Sequence, residues 1–130
     1  MTRRMSCSLT IAAVRARTKT VTRRHINTWQ NLAPGDRLTL IEKGMGLAKG
    51  ERQVVLAEVE IVSNAFVRLW DIDEDECERE GFPNLAPGDF CSMWCESHHV
   101  PEFRDQTEAM HYTVRRIEWR YLDDRETAAS

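Results

Sequence analysis

Between Gln53 and Ser63, the residues Val55, Ala57, Val59 and Ile61 recur at every second position. A two-residue period places all four on one face of an extended chain, so this run is predicted to be a strand with one buried side. Leu38 and Leu40 alternate with polar neighbours in the same way, and Tyr112 to Tyr121 reads as a closing strand. Within that last run Tyr112, Val114 and Arg116 share one face, whereas Ile117, Trp119 and Tyr121 follow a second register. Such a change of period predicts a bulge. Ser6 to Leu9 and Lys19 to Arg23 supply two shorter strand candidates, so the chain has to be organised around a sheet.

Helical signals lie between and beside these runs. Thr10 can cap a brief helix from Ile11 to Arg17. Asp73 to Glu80 is acidic, lacks β-branched residues and stops at Gly81, which suits a short helix with a glycine after its last turn. Pro87 can start a further helix that places Phe90, Met93, Trp94 and Ser97 on one face. The hexapeptide Asn-Leu-Ala-Pro-Gly-Asp occurs at 31–36 and again at 84–89, followed once by a strand period and once by a helical one. It reads as two uses of one turn chemistry rather than as a structural repeat. Lys43 to Glu51, with three glycines, reads as a loop. No linker divides the 130 residues, which predicts one α+β domain over 1–122 with a strongly bent sheet, followed by a polar tail at 123–130.

Charge is distributed unevenly. Arg17-Thr18-Lys19-Thr20-Val21-Thr22-Arg23-Arg24 carries four cations and three hydroxyls in eight residues. Arg3, Arg4 and Arg15 add to it, and no acidic residue occurs before Asp36. Asp71, Asp73, Glu74, Asp75, Glu76, Glu78 and Glu80 then follow with only Arg79 among them. A net charge of −3 therefore conceals strong polarity, and the basic side invites an anionic partner such as RNA or a nucleotide. Read without further context, Arg23 and Arg24 form a solvated basic face and the acidic run a solvated helix face. Four tryptophans are available to stack bases, but a domain this small needs most of them inside. Trp29, beside the basic strand, is the one assigned to a ligand.

Several classes are set aside. The arginines of Met1 to Val14 precede only a broken apolar run, with Arg15 and Arg17 where a cleavage site would lie, so no signal peptide is expected. No run approaches the ~20 apolar residues of a membrane span. Four unevenly spaced cysteines fit free thiols in a reducing cytoplasm. Cys91, Cys95, His98 and His99 invite a zinc reading, but only the isolated Cys7 and Cys77 remain as partners, and buried free thiols are the expectation, with no metal and no cofactor.

Five motifs in order resemble the ASCH domain family of the PUA-like superfamily. They are the segment Arg17 to Arg24, then Leu32-Ala33-Pro34-Gly35-Asp36, then Glu42-Lys43-Gly44-Met45-Gly46-Leu47, then Glu80-Gly81-Phe82-Pro83, and the Phe90, Met93, Trp94, Cys95 helix with the strand Arg115 to Trp119. The last features resemble a phage and prophage branch. The resemblance implies a small mixed PUA-like β-barrel with peripheral helices, an α+β fold that binds RNA or a modified nucleoside or nucleotide in a basic cleft. In ASCH-type amidohydrolases that deacylate N4-acetylcytidine, it implies catalytic roles at Lys19, Thr22 and Glu80; Arg17, Thr20, Arg23, Arg24 and Trp29 are the residues expected to contact the ligand beside them. A threonine needs a neighbouring base to attack an amide, a lysine of lowered pKa can be that base, and a carboxylic acid can protonate the leaving amine. Lys19 and Thr22 differ in strand parity, so their convergence calls for a bend or bulge near Thr20 or Val21. Alternatives of other classes are a phage-encoded inhibitor of a host protein partner and a ribonuclease-type ASCH enzyme.

Overall fold

The computed structural model describes residues 3–44, 47–123 and 125–126. Five strands form one mixed sheet: β1 (Arg3–Ser6), β2 (Val21–Arg24), β3 (Arg37–Ile41), β4 (Val55–Arg68) and β5 (Thr113–Tyr121). Their order is β1-β3-β4-β5-β2, parallel between β1 and β3 and antiparallel elsewhere. The sheet curves into a half-barrel with four short helices around it: α1 (Ile11–Arg15), α2 (Glu74–Arg79), α3 (Pro87–Ser97) and α4 (Gln106–Met110). The α+β barrel-like architecture expected from the sequence is the one observed.

The run that opened the sequence reading belongs to the longest strand. β4 pairs with β3 through its first half and with β5 along most of its length. The expected bulge exists but lies on β4: pairing skips Val62 between Ile61 and Ser63, opposite Trp119 and Glu118. The change of period in β5 has a second cause, because both of its faces are covered. Ile117 and Trp119 join Met5, Leu38, Leu40, Val59 and Ile61 in one apolar cluster, whereas Val114 joins Leu69, Ile72, Phe90, Cys91 and Trp94 in another.

Two helix ends matter for the site. α1 stops two residues earlier than the sequence suggested, because Arg17 adopts φ 61. Arg17 N–H then donates to Val14 O and Thr18 N–H to Ala13 O, the paired bonds of a Schellman turn. A non-glycine residue in this left-handed region is strained. α2 ends at Arg79 with Glu80 as its C-cap, and Gly81 follows at φ 100. A Cβ on Gly81 would lie 2.9 Å from Thr10 Cγ2, so glycine lets the end of α2 press against the turn before α1. α4 and the 3-10 turn Leu69–Asp71 carry no sequence signal of comparable strength. Of the polar tail, Glu126 pairs with Arg120; 124 and 127–130, like Met45 and Gly46 of the glycine loop, lie outside the described residues.

Candidate functional site

The two edge strands of the half-barrel face each other across a pocket of about 150 Å³. Arg24, at the end of β2, spans the gap by donating from Nη2 to Ser6 O at 2.8 Å, and it donates from Nε to Thr22 Oγ1 at 3.2 Å. Lys19, Thr22, Arg23, Arg24 and Glu80 all line this pocket. Lys19 arrives there from the turn after α1, ahead of β2, so the Schellman turn rather than a bulge in the strand reconciles its direction with that of Thr22. Its carbonyl is fixed by the indole N–H of Trp119 at 3.0 Å and by the Tyr121 hydroxyl.

Lys19 and Glu80 are each 3% exposed. The lysine Nζ donates to Glu80 O at 2.6 Å and lies 3.6 Å from Glu80 Oε1. Burial lowers the Lys19 pKa, and the neighbouring Glu80 carboxylate only partly offsets this. Arg23 grips Glu80 Oε2 through Nη1 and Glu76 Oε1 through Nη2, both at 2.9 Å. Glu76 also receives Arg116 at 2.6 Å and Arg79 at 3.3 Å. Thr20 N–H donates to Arg79 O at 2.8 Å, and Arg79 Nε donates to Thr20 Oγ1 at 3.0 Å. The acidic helix and the basic strand, more than fifty residues apart in sequence, thus close on each other as one ion-pair network. Arg23 and Arg24 are thus no solvated face, whereas in the acidic run only Glu76 and Glu80 turn inward and Asp71, Asp73, Glu74, Asp75 and Glu78 stay exposed, as the sequence suggests.

The residues assigned to ligand contact separate into two groups. Arg23 and Arg24 line the pocket; Arg17, Thr20 and Trp29 do not. Arg17 is exposed, with its guanidinium 5.6 Å from the Tyr121 ring centroid, and Thr20 is held by Arg79. Trp29 packs against the first apolar cluster, with the Arg3 guanidinium 4.5 Å from its ring centroid.

α3, which the sequence presents as a helix, a family motif and a zinc candidate, supplies a wall of the pocket. Phe90, Met93 and Trp94 form an apolar side together with Phe82, and His98 caps the helix beside them. Cys91 is buried with its thiol donating to Leu69 O at 3.5 Å, and burial first of all pushes its pKa up to about 12. His98 stacks on Trp94 instead. Among the described residues no group of three or more His, Cys, Asp or Glu could hold a metal ion. The spacing of Trp94 and His98, one helical turn apart, was the available signal for this wall.

No protein-family model matches the chain, and no curated protein matches it. Solved structures do. The hypothetical protein PH0355 superposes with a TM-score of 0.59 at 16% identity, over 94% of this chain and 100% of its own. The protein EF3133 of Enterococcus faecalis V583, of the DUF984 family, gives 0.56 at 12% identity over 87% of this chain and 66% of its own. An ASCH domain from Lactobacillus crispatus JV V101 gives 0.51 at 15% identity over 87% and 70%. The fold is therefore ASCH-like, of the small α+β PUA-like type that the sequence motifs implied.

Proposed function

We propose that this chain works as an ASCH domain of the phage and prophage type, taking the base of a modified nucleoside, free or within RNA, into the pocket between β1 and β2. We further propose that it cleaves an N4-acylcytidine-type amide there. The observation that carries this reading is the meeting of Lys19, Thr22, Arg24 and Glu80 in a pocket of about 150 Å³. A cavity of roughly that volume holds one aromatic ring, far short of a drug-sized ligand. Polar groups on one side and Phe82, Phe90 and Met93 on the other suit a heterocycle carrying a small acyl group.

In this reaction the Thr22 hydroxyl attacks the acyl carbon while the unprotonated Lys19 amine accepts its proton, burial favouring the neutral form. Arg24 Nε, already donating to Thr22 Oγ1, stabilises the negative charge that develops there. The C–N bond breaks, the proton passes from Lys19 to the departing amine, and water releases the acyl group from Thr22 as a carboxylic acid. Glu80, gripped by Arg23 and Lys19, serves as an acceptor that orients the lysine rather than as a proton donor. This work suits a single domain over 1–122 in the cytoplasm. Among the described residues no helix is long and apolar enough to cross a membrane.

The test is N4-acetylcytidine with micromolar protein, following cytidine and acetate. Thr22→Ala is expected to lower turnover by about 100-fold or more while keeping nucleoside binding. Binding without turnover in the parent leaves a nucleoside-recognition domain. Neither binding nor turnover rejects the reading in favour of a protein partner, and cleavage of unmodified RNA would favour the ribonuclease type.

A further inference from the structure

We infer that His98 is the ligand-reading acceptor of this pocket: a neutral imidazole of fixed tautomer whose Nε2 accepts the amide N–H of the bound acylated base. This rests on the nucleoside reading above and adds the contact that selects the ligand.

The tautomer follows from the neighbours of Nδ1. His98 Nδ1 lies 2.9 Å from Trp94 O and 3.0 Å from Ser97 Oγ; the carbonyl can only accept and the Ser97 hydroxyl spends its own hydrogen on Trp94 O, so Nδ1 carries the hydrogen. In the neutral ring Nε2 then holds a lone pair, and among the described residues it has no hydrogen-bond partner. The ring plane is set by stacking on Trp94, with centroids 3.8 Å apart and planes within 12°. Trp94 is itself fixed, buried and donating from its indole N–H to Arg23 O at 2.9 Å. The imidazole is therefore referenced through one side chain to the strand that carries Thr22.

The charge state follows from the surroundings. Burial is the main influence lowering the His98 pKa; Arg24, His25 and His99 act in the same direction, and the bond to Trp94 O opposes them. The charged groups of the pocket and the Ser97 hydroxyl are already committed. Lys19 Nζ donates to Glu80 O and, as the proposed base, directs its lone pair at the Thr22 proton; Arg24 has only donors, and the Glu80 carboxylate is engaged by Arg23 and Lys19. The Ser97 hydroxyl donates to Trp94 O at 3.1 Å. His98, which lines the pocket, thus carries an uncommitted nitrogen lone pair at Nε2. An aromatic ring bearing a secondary amide offers the matching N–H; an N-methylated amide does not, and the unmet acceptor then loses its water without replacement.

The experiment compares N4-acetylcytidine with N4-acetyl-N4-methylcytidine by calorimetry, on the Thr22→Ala protein, which is expected to bind without turnover and is the parent here, and on its His98→Phe form, which keeps a ring on Trp94 and removes both nitrogens. In the parent the N–H ligand is expected to bind about tenfold more tightly, and His98→Phe is expected to bring the two within about twofold. If the preference persists in His98→Phe, it arises from the bulk of the methyl group and the inference is overturned. If the parent binds both ligands equally, this inference fails while the nucleoside reading stands; if it binds neither, that reading fails and this one with it. Imidazole ¹⁵N spectra of the parent provide a measurement that needs no change at His98. Nε2 is expected to be unprotonated in the free protein and to shift on adding N4-acetylcytidine; a protonated Nε2, or no shift at saturation, overturns the inference.

Discussion

Replacing Arg23 by alanine decides whether the basic strand is a ligand surface or a buried support. The side chain is 4% exposed and holds Glu80 and Glu76 at 2.9 Å each. Without it, Glu76 keeps Arg116 and Arg79, but buried Glu80 retains only Lys19 at 3.6 Å. Removing one partner of a buried ion pair costs about 3–5 kcal/mol, since the other charge stays desolvated. The remaining lysine places the expected loss at the lower end, about 3 kcal/mol, which for a domain of this size corresponds to roughly 10 °C in Tm. Urea unfolding followed by circular dichroism measures it. Arg23→Lys should fall between parent and Arg23→Ala, because an ammonium keeps the charge but lacks the fork that reaches two carboxylates. The reasoning is refuted if Arg23→Ala stays within about 1 kcal/mol of the parent while polyanion affinity drops and its salt slope falls by about one unit. Arg23 would then be a phosphate contact, as its place in the family motif implied.

Three further outcomes are expected. The Glu76 carboxyl is held at about 2 against an ordinary 4.5; partial burial pulls upward, but the hydrogen bonds and charges of Arg116 and Arg23 outweigh it. The unfolded chain therefore takes up this proton first, so the contribution is complete above about pH 4.5 and drains away as pH falls toward 2, and Glu76→Gln should flatten that stretch of an acid-unfolding curve. Gly81→Ala should cost more than about 1 kcal/mol in chemical unfolding, with partial recovery when Thr10→Ser removes the methyl group that the new Cβ meets. Under native conditions a thiol reagent should modify half-buried Cys95 well before buried Cys91; mass spectrometry of the early adduct showing Cys91 first would contradict the packing of α3.

What could be read from the sequence was what its local chemistry fixes. Alternation announced β4, Pro87 opened α3 at its first residue, and Gly81 marked the end of α2. The path of Lys19 was hidden because the left-handed residue that turns it is Arg17 rather than glycine. The charge network was hidden for another reason: Arg23 and Glu80 are 57 residues apart, and period and composition do not bring a basic strand and an acidic helix together. Covering β5 on both faces blurred its alternation into what looked like a bulge in the strand itself. The set Lys19, Thr22 and Glu80 came from resemblance to a family, whereas His98 was weighed as a zinc ligand because its chemistry there is common and its stack on Trp94 is a tertiary fact.

Fold and chemistry share side chains at this site, and that determines which substitution can separate them. Glu80 orients Lys19, but it also anchors Arg23 and is the C-cap of α2, against the glycine that touches Thr10. Its loss therefore disturbs the ion-pair network and the pocket together, and reduced activity in a Glu80 variant says little about proton transfer. Lys19 is tied in the same way through its bond to the Glu80 carbonyl. Thr22 differs. Its side chain enters one side-chain hydrogen bond, accepted from Arg24, and none of the ion pairs. Thr22→Ser keeps that hydroxyl and Thr22→Ala removes it, with little change to the network around either. Retained activity in the serine variant beside loss in the alanine variant, both equally stable, would assign the chemistry to that oxygen; equal activity in the two would remove Thr22 as the nucleophile.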